Sequence, residues 1–179
     1  GLGALLLFLL LSGGLSAAPA PAVGALHVSF LYLPPTGVEP TYHTAMWLED
    51  AKGVLARTLF VSQELSVNEY KLGFACPDWI KQSKWATAPK VEIDAVTAPT
   101  PNVGTASMAF DLAALGVAPG DYVFKFQVHI TEQQNVLHAG TFTAGGPAKV
   151  DPLGLHEHAA RVGRRGGEHL RSAVRLAIP

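Results

Sequence analysis

YVFKFQVHIT, residues 122–131, decides the fold. Tyr122, Phe124, Phe126, Val128 and Ile130 share one parity, and Val123, Lys125, Gln127, His129 and Thr131 share the other. A period of two with one apolar parity is the pattern of a half-buried strand, so the first face is expected in the core and the second in water. LGVAPGD, residues 115–121, supplies the turn that leads in. Glu132 to Asn135 turns the chain, and Val136 to Ala144 makes a last strand.

The same period extends upstream. Leu26, Val28, Phe30 and Tyr32 alternate with His27, Ser29 and Leu31, and Pro34, Pro35 and Gly37 end that strand. Tyr42 to Glu49 alternates again, Asp50-Ala51-Lys52-Gly53 gives a tight turn with Gly where a positive φ is needed, and Val54 to Val61 returns. Between Ser62 and Thr100 the alternation weakens. One short helix is expected to open at Pro77, where a missing N–H is harmless, carrying Trp79, Ile80 and Trp85. Val91 to Val96 reads as a short strand, TAPTPNVG at 97–104 as a loop, and Thr105 to Leu112 as a strand. About seven short strands, with one helix in an inserted loop, predict an all-β antiparallel sandwich. No period of 20 to 50 residues repeats, which excludes a solenoid or propeller.

Both ends differ from this body. GLGALLLFLLLSGGL at residues 1–15 is an uncharged apolar run followed by the small residues SAAPAPA, so residues 1–18 are expected to be a signal peptide and 19–24 a linker before a sandwich at 25–144. The run is shorter than the about 20 residues of a relaxed membrane span. Neither Met nor a basic stretch precedes it, so the signal is expected to be truncated at its N-terminus. Residues 145–179 turn to Gly, Arg and His and read as a flexible basic tail, or as the misread end of a fragmentary gene. Within it, Glu168 to Ile178 has the spacing of a short amphipathic helix. The body up to Gly145 holds seven basic and eleven acidic side chains, net −4, and the tail six and three, net +3. An acidic body argues against nucleic acid as the ligand. Cys76 is the one cysteine, which excludes an intramolecular disulfide, and it reads first as a small buried hydrophobe rather than a reactive thiol.

TYHTAMWLEDAKGVLARTL, residues 41–59, and APGDYVFKFQVHI, residues 118–130, resemble the bacterial exported family called domain of unknown function 2271. The shared logic is an aromatic strand ending Trp-hydrophobic-Glu-Asp, a Lys-Gly turn, a strand finishing Arg-Thr-Leu, and a later Gly-x-Tyr strand. The resemblance spans roughly Ala25 to Ala144 and implies an immunoglobulin-like periplasmic domain. It also implies a place beside membrane redox or metal-uptake systems, with an unidentified protein partner. FACPDWIKQSKW, residues 74–85, departs from the short middle segment that the family suggests.

No G-x-S-x-G, H-E-x-x-H, P-loop or dinucleotide fingerprint occurs, so the chain is expected to be a non-catalytic binding or accessory domain without a cofactor. Glu49 and Asp50 are adjacent acids at a hairpin end and read as solvated turn residues. Trp79 and Trp85 read as packing residues before a ligand-stacking platform. The alternative function is a periplasmic copper or other metal carrier. His43 and His129 stand in strands, as does His138, and Met46 offers a thioether that favours Cu(I) over Zn. The parity is unfavourable for Met46, an odd number of residues from His43. His156 and His158 in the tail read as a nonspecific His-rich tract.

Overall fold

The computed structural model describes residues 24–32, 37, 39–132 and 134–147, and the backbone of 149–152, 154–159 and 175–178. Among the described residues ten strands run in chain order: β1 Ala25–Tyr32, β2 His43–Glu49, β3 Leu55–Ser62, β4 Thr97–Ala98, β5 Gly104–Asp111, β6 Gly120–Thr131, β7 Gln134–Ala144, β8 Lys149–Pro152, β9 Gly154–Ala159 and β10 Arg175–Ile178. They form a four-stranded sheet, ordered β5-β1-β10-β8, and a six-stranded sheet, ordered β4-β3-β2-β6-β7-β9. The pairs are antiparallel except β3 with β4. The molecule is therefore an all-β, two-sheet sandwich, as the alternation predicts.

The β2–β3 hairpin closes on Asp50, whose carboxylate accepts the N–H groups of Lys52 (2.8 Å) and Val54 (3.0 Å). Gly53 takes φ +76°, a region that favours glycine. Glu49 begins the same turn but is buried, its Oε1 accepting Trp47 Nε1 and Gln82 Nε2, each at 2.9 Å. The Trp-Leu-Glu-Asp run is thus a structural device: the indole fixes the glutamate, and the aspartate ties the turn. Glu49 departs from the solvated reading; Asp50 keeps it.

Phe124, Phe126, Val128 and Ile130 of β6 and Met46 and Leu48 of β2 face inward, against Leu26, Val28, Phe30 and Tyr32 of β1. The opposite face of β2 and β6 departs from expectation. Gln127 and His129, expected to be wet, are 0% and 2% exposed, and every residue of β2 is buried. Residues between β3 and β5 fold back over this face as a helical layer: α1 Gln63–Val67, α2 Pro77–Ser83 and α3 Lys90–Val96, with short 3-10 turns at Glu69–Leu72 and Trp85–Thr87. Leu65, Cys76, Trp79, Trp85 and Val96 of the layer pack on Ala45, Trp47, Val61 and Leu137 of the sheet in a second core. The central strands of the six-stranded sheet are covered on both sides.

The expected single helix is therefore one of three among the described residues, and the strand expected at 91–96 is α3. Its apolar residues follow helical spacing: Val96 is buried and Ile93 packs beside it, whereas Val91 is 77% exposed. Lys90 Nζ and Asp94 Oδ1 meet at 2.7 Å, the i, i+4 pairing that supports a helix. Beyond residue 145, β8 and β10 join the four-stranded sheet and β9 pairs with β7 in the stretch that reads as a tail. The amphipathic helix expected at 168–178 gives way to strand β10 over Arg175–Ile178, and its earlier part lies outside the described residues, as does the signal peptide reading of 1–18.

Candidate functional site

Helix α2 begins without a cap of its own. Cys76 precedes it at φ +53°, its side chain makes no capping bond, and Pro77 opens the helix. The donors that such a start leaves free go to the sheet. Gln127 Oε1 of β6 accepts the N–H groups of Asp78 (3.1 Å) and Trp79 (3.4 Å), and Gln127 Nε2 donates to Asp78 Oδ2 at 2.6 Å. Asn135 of β7 holds the residues just before it: its Nδ2 donates to the Phe74 carbonyl at 2.8 Å, and its Oδ1 accepts the Cys76 N–H at 2.9 Å. Two strand amides thus clamp Phe74–Trp79 onto the sheet. A helix start reading Cys-Pro, with no Ser, Thr, Asp or Asn, signals that a cap must come from elsewhere, but not from where.

The clamp places Cys76 against the backbone of β2 and β6. Its Sγ lies 3.4 Å from the His43 carbonyl oxygen and 3.5 Å from that of Gln127. Burial pushes the thiol pKa far up, against the opposing effect of the His129 and Ala45 backbone hydrogen bonds, so Cys76 is a buried, protonated residue.

Beside it lie His43 and His129, directly opposite each other on β2 and β6. Their rings are 5.9 Å apart between centroids and 21° from parallel, and Phe74 lies 5.4 Å from His129. His43 is 8% exposed, and the Nδ1 atoms of both histidines are buried without a hydrogen-bond partner. The His129 side chain also hydrogen-bonds that of Asn135.

Burial holds both imidazoles below their ordinary pKa. The carboxylates of Glu69 and Glu64 oppose this at His43; at His129, the neighbouring His43 adds to it, while the Asn135 bond and Glu132 oppose it. With folded values below the 6.5 of the free side chain, the unfolded chain takes up protons first as pH falls. Stability is expected to decline as pH drops through 6.5 and to level off below the folded values. Urea melts of wild type and His129→Gln between pH 7.5 and 5 check this. The variant should lose part of the decline, and identical slopes would remove the histidines as its cause.

The structure brings His43 and His129 together but does not bring Met46 to them. Met46 points into the inner core, as its parity requires, and His138 stacks on Phe126 at 5.7 Å, its strand partner on that same face. Trp79 and Trp85 are packing residues with rings 5.0 Å apart, donating to Thr58 Oγ1 (3.2 Å) and the Ser66 carbonyl (3.0 Å). Lys125, on the face of Gln127, stands 3.6 Å from Glu49 Oε2.

A second feature lies at the open side of the sandwich. Leu59, Phe60, Val96, Met108, Phe110 and Leu115 line a groove of about 510 Å3 between the edges of the two sheets. Strand β5 borders it and ends its sheet, pairing with β1 alone among the described strands.

Among the described residues no helix is long and apolar enough to cross a membrane. No curated protein and no solved structure matches the chain. The profile of the family described as "Predicted periplasmic protein (DUF2271)" matches residues 36–152, from before β2 through β8. The match covers the hairpin, the helical layer with its clamp and the long β6–β7 pair, and by it the chain belongs to this periplasmic family, domain of unknown function 2271.

Proposed function

We propose that the protein is a non-catalytic periplasmic binding or accessory domain of immunoglobulin-like build, which takes an extended segment of a membrane redox or metal-uptake protein along β5. The observation that carries this reading is the edge itself. Gly104–Asp111, GTASMAFD, is eight residues long, holds no Lys, Arg or Pro, and has one charge, at its end. Natural sheets guard edges of this length with lysines, prolines or bulges, because unpaired N–H and C=O groups template another strand. Here the unguarded edge runs beside the apolar groove, the arrangement used in strand addition: the main chain supplies hydrogen bonds, and alternate side chains of the partner enter pockets. Periplasmic residence makes the exported face of a membrane protein the available partner class.

Site-specific photo-crosslinking in cells tests the reading, with a benzophenone amino acid at Ala109 of β5 and, as control, at Lys52 of the exposed hairpin turn. The expected result is one adduct from position 109, identified by mass spectrometry as a membrane redox or uptake protein and absent from position 52. A β5 Ala109→Lys variant should lower its co-purification. Adducts with a second copy of this chain, or equal adducts from both positions, would overturn the proposal.

A further inference from the structure

We propose that His43 and His129 form a buried two-nitrogen site for a soft monovalent metal ion of the Cu(I) class, held by their two Nδ1 atoms. The proposal goes beyond the interaction role and does not depend on it. Its first support is that these Nδ1 atoms lack partners in places where an unpaired polar atom is costly. His129 is 2% exposed and His43 8%. Its second support is the register, which sets the two histidines directly opposite each other on β2 and β6.

The pairing brings the two rings close, with centroids 5.9 Å apart and planes 21° from parallel. The donor set selects the ion. Zinc takes four ligands, and calcium and magnesium take oxygens, whereas among the described residues no group of three or more His, Cys, Asp or Glu gathers around one point. Two neutral imidazoles in an apolar setting suit a closed-shell monovalent ion, which accepts two-coordination and brings little charge into the interior. Phe74, half-buried, lies over His129 and leaves the site one side chain below the surface.

The test is an anaerobic competition titration of the whole processed protein, with Cu(I) supplied from a chromophoric chelator and Zn(II) run in parallel. One equivalent of Cu(I) is expected to bind with sub-micromolar affinity and Zn(II) far more weakly. The His43→Ala/His129→Ala variant should bind Cu(I) at least about 100-fold more weakly, and His156→Ala/His158→Ala, which removes the tail pair, should bind as wild type. Because the first variant removes two buried side chains, wild-type protein gives an independent reading. On adding Ag(I), the 15N shifts of Nδ1 in His43 and His129 should move, and Nε2 of His129 should keep its proton. Absence of Cu(I) binding, equal binding by the His43/His129 variant, or shifts confined to His156 and His158 would each overturn the site.

Discussion

Phe126→Ala is expected to lower the stability of the domain by about 3–5 kcal/mol. Phe126 is fully buried where the two sheets meet, its ring 5.0 Å from Phe30, 6.4 Å from Tyr32 and 5.7 Å from His138. Truncation removes the ring's burial and leaves a cavity walled by strands of two sheets, which cannot close without shifting one sheet against the other. Guanidinium melts measure the effect, with Thr105→Ala, on the exposed face of β5, expected within about 0.5 kcal/mol of wild type. A Phe126→Ala loss as small as the control's would mean that the inner core is loosely packed.

Gln127→Ala, one residue on and facing the other way, is expected to cost about 2–3 kcal/mol. A strand whose polar parity met water would lose almost nothing. Here the amide is wholly buried and makes three bonds to the start of α2. Its removal leaves the Asp78 and Trp79 N–H groups without their acceptor and Asp78 without its donor, and it loosens the helical layer locally. Near-UV circular dichroism should therefore weaken at Trp79, whose indole packs beneath that start. Lys125→Ala on the same face removes a 3.6 Å ion pair but leaves the buried Glu49 carboxylate its two hydrogen bonds from Trp47 and Gln82, so it is expected to cost less than Gln127→Ala. Equal, small losses from both variants would mean that water, not Gln127, satisfies the helix.

These two neighbours mark the limit of what the sequence discloses. Alternation over 122–131 identifies the inner face, because aromatic and branched residues on one parity have one place to go. It does not identify the fate of the other face. Lys125, Gln127 and His129 are polar whether they meet water or a layer that hydrogen-bonds them, and the layer comes from a segment some fifty residues away whose own pattern is weak. The misreading of 91–96 has a related cause: over six residues, Val91 and Ile93 keep the period of a strand while Ile93 and Val96 keep that of a helix, and it is the packing of Ile93 and Val96 on the second core, with Val91 exposed, that separates the two. At the histidine pair, the candidates and the unfavourable parity of Met46 are legible. The register that sets His43 opposite His129 joins strands far apart in the chain, and no local signal encodes it.

Cys76 gives the helical layer a consequence in time as well as in space. A chain delivered into an oxidising compartment carries its lone thiol uncovered until Phe74–Trp79 docks on β6 and β7, and in that interval the thiol is open to mixed disulfides with other secreted chains. Once docked, it lies against two main-chain oxygens with no solvent exposure and, being protonated, is a poor nucleophile. Closure of this segment is therefore a race against oxidation, and it sets a chemical premium on the speed with which Gln127 and Asn135 capture it.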